Sequence, residues 1–140
     1  MSPIGKLFVD RARHARWVWW LSDPSKLPGV ARRAVAKAAA DRAIYISAIS
    51  TWEIVLLVSK NRLQFTMDAQ DWIARSEALP FFHFVPVDNA VAIRSVRLPE
   101  PFHRDPADRI IVATAMMMGA TVVSSDRKIL KYSHVKAIWK

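Results

Sequence analysis

Not one cysteine occurs in the 140 residues, which excludes disulfides and thiolate metal sites and fits a reducing compartment. Glycine is almost missing too: the chain has three, and none forms a phosphate-cradling run such as G-x-G-x-x-G. The four histidines are scattered, with no His-x₃-His pair to suggest zinc. Long apolar runs are absent. Trp17-Val18-Trp19-Trp20-Leu21 falls far short of the ~20 residues that span a membrane, and no Ala-x-Ala cleavage site precedes it. Internal repeats and Gly/Ser linkers are missing as well, so residues 1–140 read as one domain. Acidic residues are scarce, with 12 Asp and Glu against 21 Lys and Arg, a formal charge of +9. That excess favours a polyanionic partner, with a basic protein lacking such a partner as the alternative. The expectation is a soluble, cytoplasmic chain that does not engage membranes.

Hydrophobic residues make up 52% of the chain, enough to build a packed core. Leu7-Phe8-Val9, Ala43 to Ile46, Phe82 to Val85, Thr121-Val122-Val123 and Val135 to Ile138 read as short strands, the last at a sheet edge. Helices are expected over Ala15–Leu21, Gly29–Asp41, Ser47–Lys60, Asp71–Leu79 and Asn89–Leu98. The clearest helix runs from Pro106, where Asp-Pro opens it, to Gly119, which closes it. Val30, Ala34 and Ala38 should face inward in the second helix, and Ile49, Trp52, Leu56 and Val58 in the third. Strands that alternate with helices and read as continuous apolar runs predict an α/β fold: three layers, α/β/α, around a mostly parallel sheet of four or five strands.

In such sheets ligands bind at the carboxyl ends of the strands, and the few acids gather there. Asp10 follows the first strand candidate, Glu53 lies one helical turn past the second, Asp108 sits in the first turn of the Pro106 helix, and Asp126 follows Thr121-Val122-Val123. Carboxylates about 4 Å apart repel by ~4 kcal/mol at an effective dielectric near 20. Such a cluster calls for a cation, and oxygen donors suit Mg²⁺ or Mn²⁺. Each acid also has a structural explanation. Ser50-x-x-Glu53 matches a capping box, Asp105 before Pro106 is the expected helix cap, Asp108 suits a helix dipole, and Asp126 can cap a turn around Arg127–Ile129. Arg32, Arg33, Lys37, Lys60 and Arg62 are candidates for a phosphate track. His103 either touches a phosphate or is a solvated loop residue.

Three stretches carry a resemblance: Ile49-Ser50-Thr51-Trp52-Glu53-Ile54; Leu98-Pro99 followed by Phe102-His103-Arg104-Asp105-Pro106-Ala107-Asp108-Arg109-Ile110-Ile111-Val112-Ala113-Thr114-Ala115; and Gly119 to Ile129 with Ser124-Ser125-Asp126-Arg127 at its centre. With Trp19-Trp20-Leu21-Ser22-Asp23-Pro24, the chain from Trp17 to Lys140 resembles the PIN-domain ribonucleases, and among them the toxins of VapBC toxin–antitoxin pairs. The resemblance implies a PIN-like fold and a Mg²⁺- or Mn²⁺-dependent endoribonuclease. It places Glu53, Asp108 and Asp126 on the family's acidic positions and makes Asp105 an accessory acid. It further implies a homodimer, a cognate VapB-like antitoxin and an RNA substrate.

The beginning of the chain departs from that pattern. The family's first strand ends in Asp-Thr-His, whereas here Arg13-His14-Ala15-Arg16 precede Trp17 and the nearest acid is Asp10. Two explanations stand. A one-base slip in a gene reading CGA CAC GCA CGT would restore Asp-Thr-His-Val and leave residues 1–16 out of frame. Alternatively, a three-residue insertion leaves Leu7-Phe8-Val9 as the strand and Asp10 as its metal-binding, catalytic acid. The first explanation implies a catalytically impaired chain that binds antitoxin or RNA without cleaving. The coding DNA decides between them.

Overall fold

The computed structural model describes residues 6–9, 25, 27–63 and 65–140, with side chains left out for residues 7–9. Asp10 and the helix expected over Ala15–Leu21 lie outside the described residues. Five strands alternate with six helices among those described: β1 Leu7–Val9, α1 Gly29–Ala40, β2 Ile44–Ser47, α2 Ala48–Ser59, α3 Ala69–Glu77, β3 Phe82–Val85, α4 Asn89–Val96, α5 Pro106–Met118, β4 Thr121–Val123, α6 Arg127–Leu130 and β5 Ala137–Ile138. The strands form one sheet in the order β3-β2-β1-β4-β5, and each neighbouring pair is parallel. The strand order turns back on itself at β1, which pairs with β2 on one side and β4 on the other. A crevice opens at such a point, outside the carboxyl ends of the strands.

The period-two alternation of the strands divides the core between two faces. Ile44, Ile46 and Val123 join Ala31, Ala34, Val35 and Ala38 of α1 and Ile73 of α3 on one side. Val122, with Tyr45 and Ala137, packs against Ile111, Val112, Ala113 and Ala115 of α5 and Ile129 of α6 on the other. The result is the expected three-layer α/β/α arrangement. Two inward assignments need correction. Val30 is exposed, because the buried stripe of α1 runs through Ala31, Ala34, Val35 and Ala38. Trp52 is 56% exposed, because α2 turns only Ser50 and Ile54 fully inward.

Helix ends follow local chemistry. Ser47 caps α2, its hydroxyl accepting from the Ile49 N–H at 3.1 Å. That start puts Glu53 inside the helix and rules out the Ser50–Glu53 capping box. Pro106 stands in the first turn of α5, and Gly119 closes it in the left-handed region with φ 63°. No helix among the described residues is long and apolar enough to cross a membrane.

Candidate metal centre

Helix α5 leads directly into β4, so it runs antiparallel to the sheet and its first turn returns to the carboxyl edge. Asp105 caps that turn, its Oδ1 accepting from the N–H groups of Ala107 at 2.9 Å and Asp108 at 3.3 Å. The carboxylate of Asp108, on a residue only 4% exposed, is thereby held at the start of α5. From the β4 side comes Asp126. Its N–H donates to the buried Ser124 hydroxyl at 3.0 Å, and its Oδ1 accepts from the Lys128 N–H at 2.8 Å as the cap of α6. Asp105 and Asp126 thus both serve as helix caps. The cap uses one oxygen of each carboxylate in these bonds.

A third group completes the cluster. One ligand atom each of His103, Asp108 and Asp126 lies within 4.8 Å of the other two. His103 Nε2 approaches Asp108 Oδ2 to 3.2 Å, yet the ring nitrogen is buried and its alignment makes no hydrogen bond. The two groups are therefore in close approach without a hydrogen bond, and the ring nitrogen is left without a hydrogen-bond partner. At such separations two carboxylates repel by roughly 3 kcal/mol or more at an effective dielectric near 20. A buried ring nitrogen beside two acids is a donor set that fits a small divalent cation.

His103 was read from the sequence as a solvated or phosphate-touching loop residue; the structure instead brings it against Asp108. What holds it there is Arg109, a second residue whose part was not foreseen. Its guanidinium donates to the carbonyls of His103 at 3.2 Å and Phe102 at 3.4 Å, and to those of Ser95 at 2.8 Å and Val96 at 3.3 Å. It also meets Glu100 Oε1 at 3.4 Å. The rigid fork ties the loop after α4 to the first turn of α5. No local pattern signalled this, because the carbonyls that Arg109 reaches belong to a loop whose path the sequence does not report.

Glu53 is not in that trio. It faces a neighbouring cavity of about 460 Å³ whose walls include Asp105, Pro106, Ile110, Ile49 and Trp52. Asp105 joins the two regions, lining this cavity while its Oδ1 accepts the Asp108 N–H. Of the expected acids, Asp108 and Asp126 are brought together, Glu53 and Asp105 share the adjoining wall, and Asp10 lies outside the described residues. Among the expected basic rim, Lys37 pairs with Asp41 at 3.1 Å, and Arg32, Arg33, Lys60 and Arg62 are exposed.

The family model of the PIN domain matches residues 16–135. The chain belongs to the PIN-domain family. Ribonuclease VapC22 of Mycobacterium tuberculosis is 30% identical to it over 120 residues, which cover 86% of this chain and 88% of that protein. That likeness makes it a VapC-like PIN domain. Solved structures share the fold at lower identity. FitAcB from Neisseria gonorrhoeae matches with a TM-score of 0.65 at 21% identity, over 94% of this chain and 96% of that one. VapBC2 from Rickettsia felis, bound to a DNA fragment from its promoter, matches with a TM-score of 0.68 at 15% identity, over 96% and 98%. This PIN domain therefore carries its acidic group at the carboxyl edge of a parallel sheet, and the matched stretch of the chain begins after Asp10.

Proposed function

We propose that this PIN domain is a metal-dependent endoribonuclease, the toxin of a cytoplasmic toxin–antitoxin pair, acting on RNA through Mg²⁺ or Mn²⁺. The observation that carries this reading is the trio of His103, Asp108 and Asp126 within 4.8 Å, set in a chain of net charge +9. Asp108 and Asp126 would hold the ion with His103, and Glu53, Asp105 and Asp10 would complete the acidic site. An imidazole among the donors favours Mn²⁺ over Mg²⁺, because the harder ion prefers oxygen alone. A bound divalent ion supplies Lewis-acid polarisation of a phosphoryl oxygen and an activated water. The protein's share is positional: the cap at Asp105 fixes Asp108, the cap at Asp126 fixes its own carboxylate, and Arg109 fixes His103. The positive field of the remaining surface draws the polyanion in.

The relatives support the partners in this reading. The Mycobacterium protein is named a ribonuclease, and a structure with a TM-score of 0.58 is a toxin–antitoxin complex from Klebsiella pneumoniae. A cognate VapB-like antitoxin and a second copy of the chain are the proposed protein partners, and residues 1–140 are taken as one domain. The test is cleavage of a single-stranded RNA pool with Mn²⁺ and then Mg²⁺, against the Asp108→Asn variant. Cleavage that needs the metal and vanishes in the variant supports the nuclease.

A specific observation keeps a second reading alive: the family match starts at residue 16, so Asp10 falls before it. If the family's first acid is missing, the chain binds RNA or antitoxin without cutting. RNA binding with no cleavage at any Mn²⁺ concentration selects that reading.

A further inference from the structure

His103 also forms a wall of a second cavity, about 510 Å³, which the acidic cluster does not explain. Phe102, Tyr132 and His134 line it with aromatic rings, and Lys128 and Lys131 add two exposed cations. Among the described residues, no carboxylate lines it. The volume is that of a small-ligand site, where pockets run from ~300 to ~1,000 Å³.

The aromatic surface is built. Phe102 lies 4.5 Å from the Tyr132 ring and 4.5 Å from the His103 ring, and Tyr132 lies 5.2 Å from His134. Tyr132 is buried and locked, its hydroxyl donating to the Pro99 carbonyl at 2.6 Å. His134 is exposed, so its ring is accessible to a partner. Lys128 follows Asp126 closely and shares its cap, its N–H donating to Asp126 Oδ1. Rings and cations therefore adjoin the acidic trio through His103 on one side and Asp126 on the other. Stackable rings beside exposed cations are what proteins offer to an unpaired nucleotide, the rings taking the base and the cations the backbone.

We propose that this cavity is the subsite for the nucleotide next to the scissile phosphate, and that the substrate must present it unpaired. The base stacks on the Phe102–His134 surface, and Lys128 and Lys131 hold the flanking phosphates. A base inside an A-form duplex cannot be splayed into such a pocket, so these residues are reached only by an unpaired nucleotide. The inference rests on the nuclease reading of the trio, but its test does not require cleavage.

The experiment measures binding of a short single-stranded oligoribonucleotide carrying 2-aminopurine, in EDTA, to the full chain. In Lys128→Ala/Lys131→Ala the slope of log K against log salt should flatten by about 1.4, two phosphates at ~0.7 each for a single strand. In His134→Ala affinity should fall about fivefold or more, with loss of 2-aminopurine quenching and the wild-type salt slope. Both sets of side chains are exposed, so circular dichroism should match the wild type. A fully paired duplex of the same sequence should bind more weakly and ignore His134→Ala. Unchanged affinity, slope and quenching in these variants would overturn the subsite, as would equal binding of the duplex. A chain that binds in this pattern but never cleaves with Mn²⁺ sinks the nuclease reading and leaves the subsite standing.

Discussion

Helices α2 and α5 are both rich in apolar residues, yet they do opposite things. α5 buries Asp108 and every residue from Ile111 to Ala115. α2, with Ile49, Trp52, Ile54, Val55, Leu56, Leu57 and Val58 spread around its axis, buries only Ser50 and Ile54 and leaves Trp52 56% and Val55 45% exposed. A helix that is apolar all round belongs in a core or against something else. α5 is the core member, stabilising the sheet and presenting its first-turn acid. α2 carries an apolar surface next to the Glu53 cavity, the kind of patch that marks a protein interface. In one helix the apolar residues serve the fold; in the other, Trp52 and Val55 stay at the surface beside the Glu53 cavity.

Substitutions sharpen this contrast, the largest effect first. Ile111→Ala in α5 should cost roughly 2–5 kcal/mol in denaturant unfolding, since a fully buried isoleucine leaves a cavity. Asp105→Ala should cost ~1 kcal/mol through loss of the α5 cap, while Asp105→Asn retains most of it. Wild-type stability from this last loss would mean that Asp105 is held for the site and not for the helix. Tyr132→Phe should cost about 0.5–1.5 kcal/mol by removing the hydrogen bond to Pro99. It should also change the alkaline limb. Burial raises the Tyr132 pKa above its usual 10.0, outweighing the lowering by Arg109, with Glu100 also raising it. The raised value means that the contribution of Tyr132 is complete below pH 10 and lost as pH climbs through the folded pKa. The phenylalanine variant should therefore lose less stability above that pH. Smallest is Val55→Lys, which should move monomer stability by under ~0.5 kcal/mol. If a second copy covers α2, sedimentation should show the same variant as a monomer where the wild type is a dimer.

The same contrast explains what was legible beforehand. The strand–helix alternation and the ends of α5 were readable because they are local: Asp-Pro opens the helix, and Gly119 adopts a conformation that side chains resist. β1 at Leu7–Val9 also formed as expected, between β2 and β4. The orientation of α2 was not readable, because with apolar residues on every side its sequence contains no preferred stripe, and Trp52 was wrongly turned inward. The short helix Arg127–Leu130 was foreseen only as a turn, since four residues are too few for a periodic signal. Asp108 and Asp126 followed from the parallel-sheet rule, each being tied to a strand or helix end. His103 was beyond it. Its position depends on a loop path set by the Arg109 fork, and no spacing in the chain reports where a guanidinium will find its carbonyls.

The central claim, that Asp108 and Asp126 hold a divalent ion, is tested most directly by thermal unfolding with Mn²⁺ titrated against the full chain, which needs no RNA and no turnover. At a hundredfold excess over Kd, binding stabilises the native state by about 2.7 kcal/mol, a rise in Tm on the order of 5–10 °C for a chain of this size. The wild type should show that rise, Mg²⁺ should give a smaller one, and Asp108→Asn and Asp126→Asn should each abolish most of it. An equal rise in both variants, or none in the wild type, would contradict the metal centre.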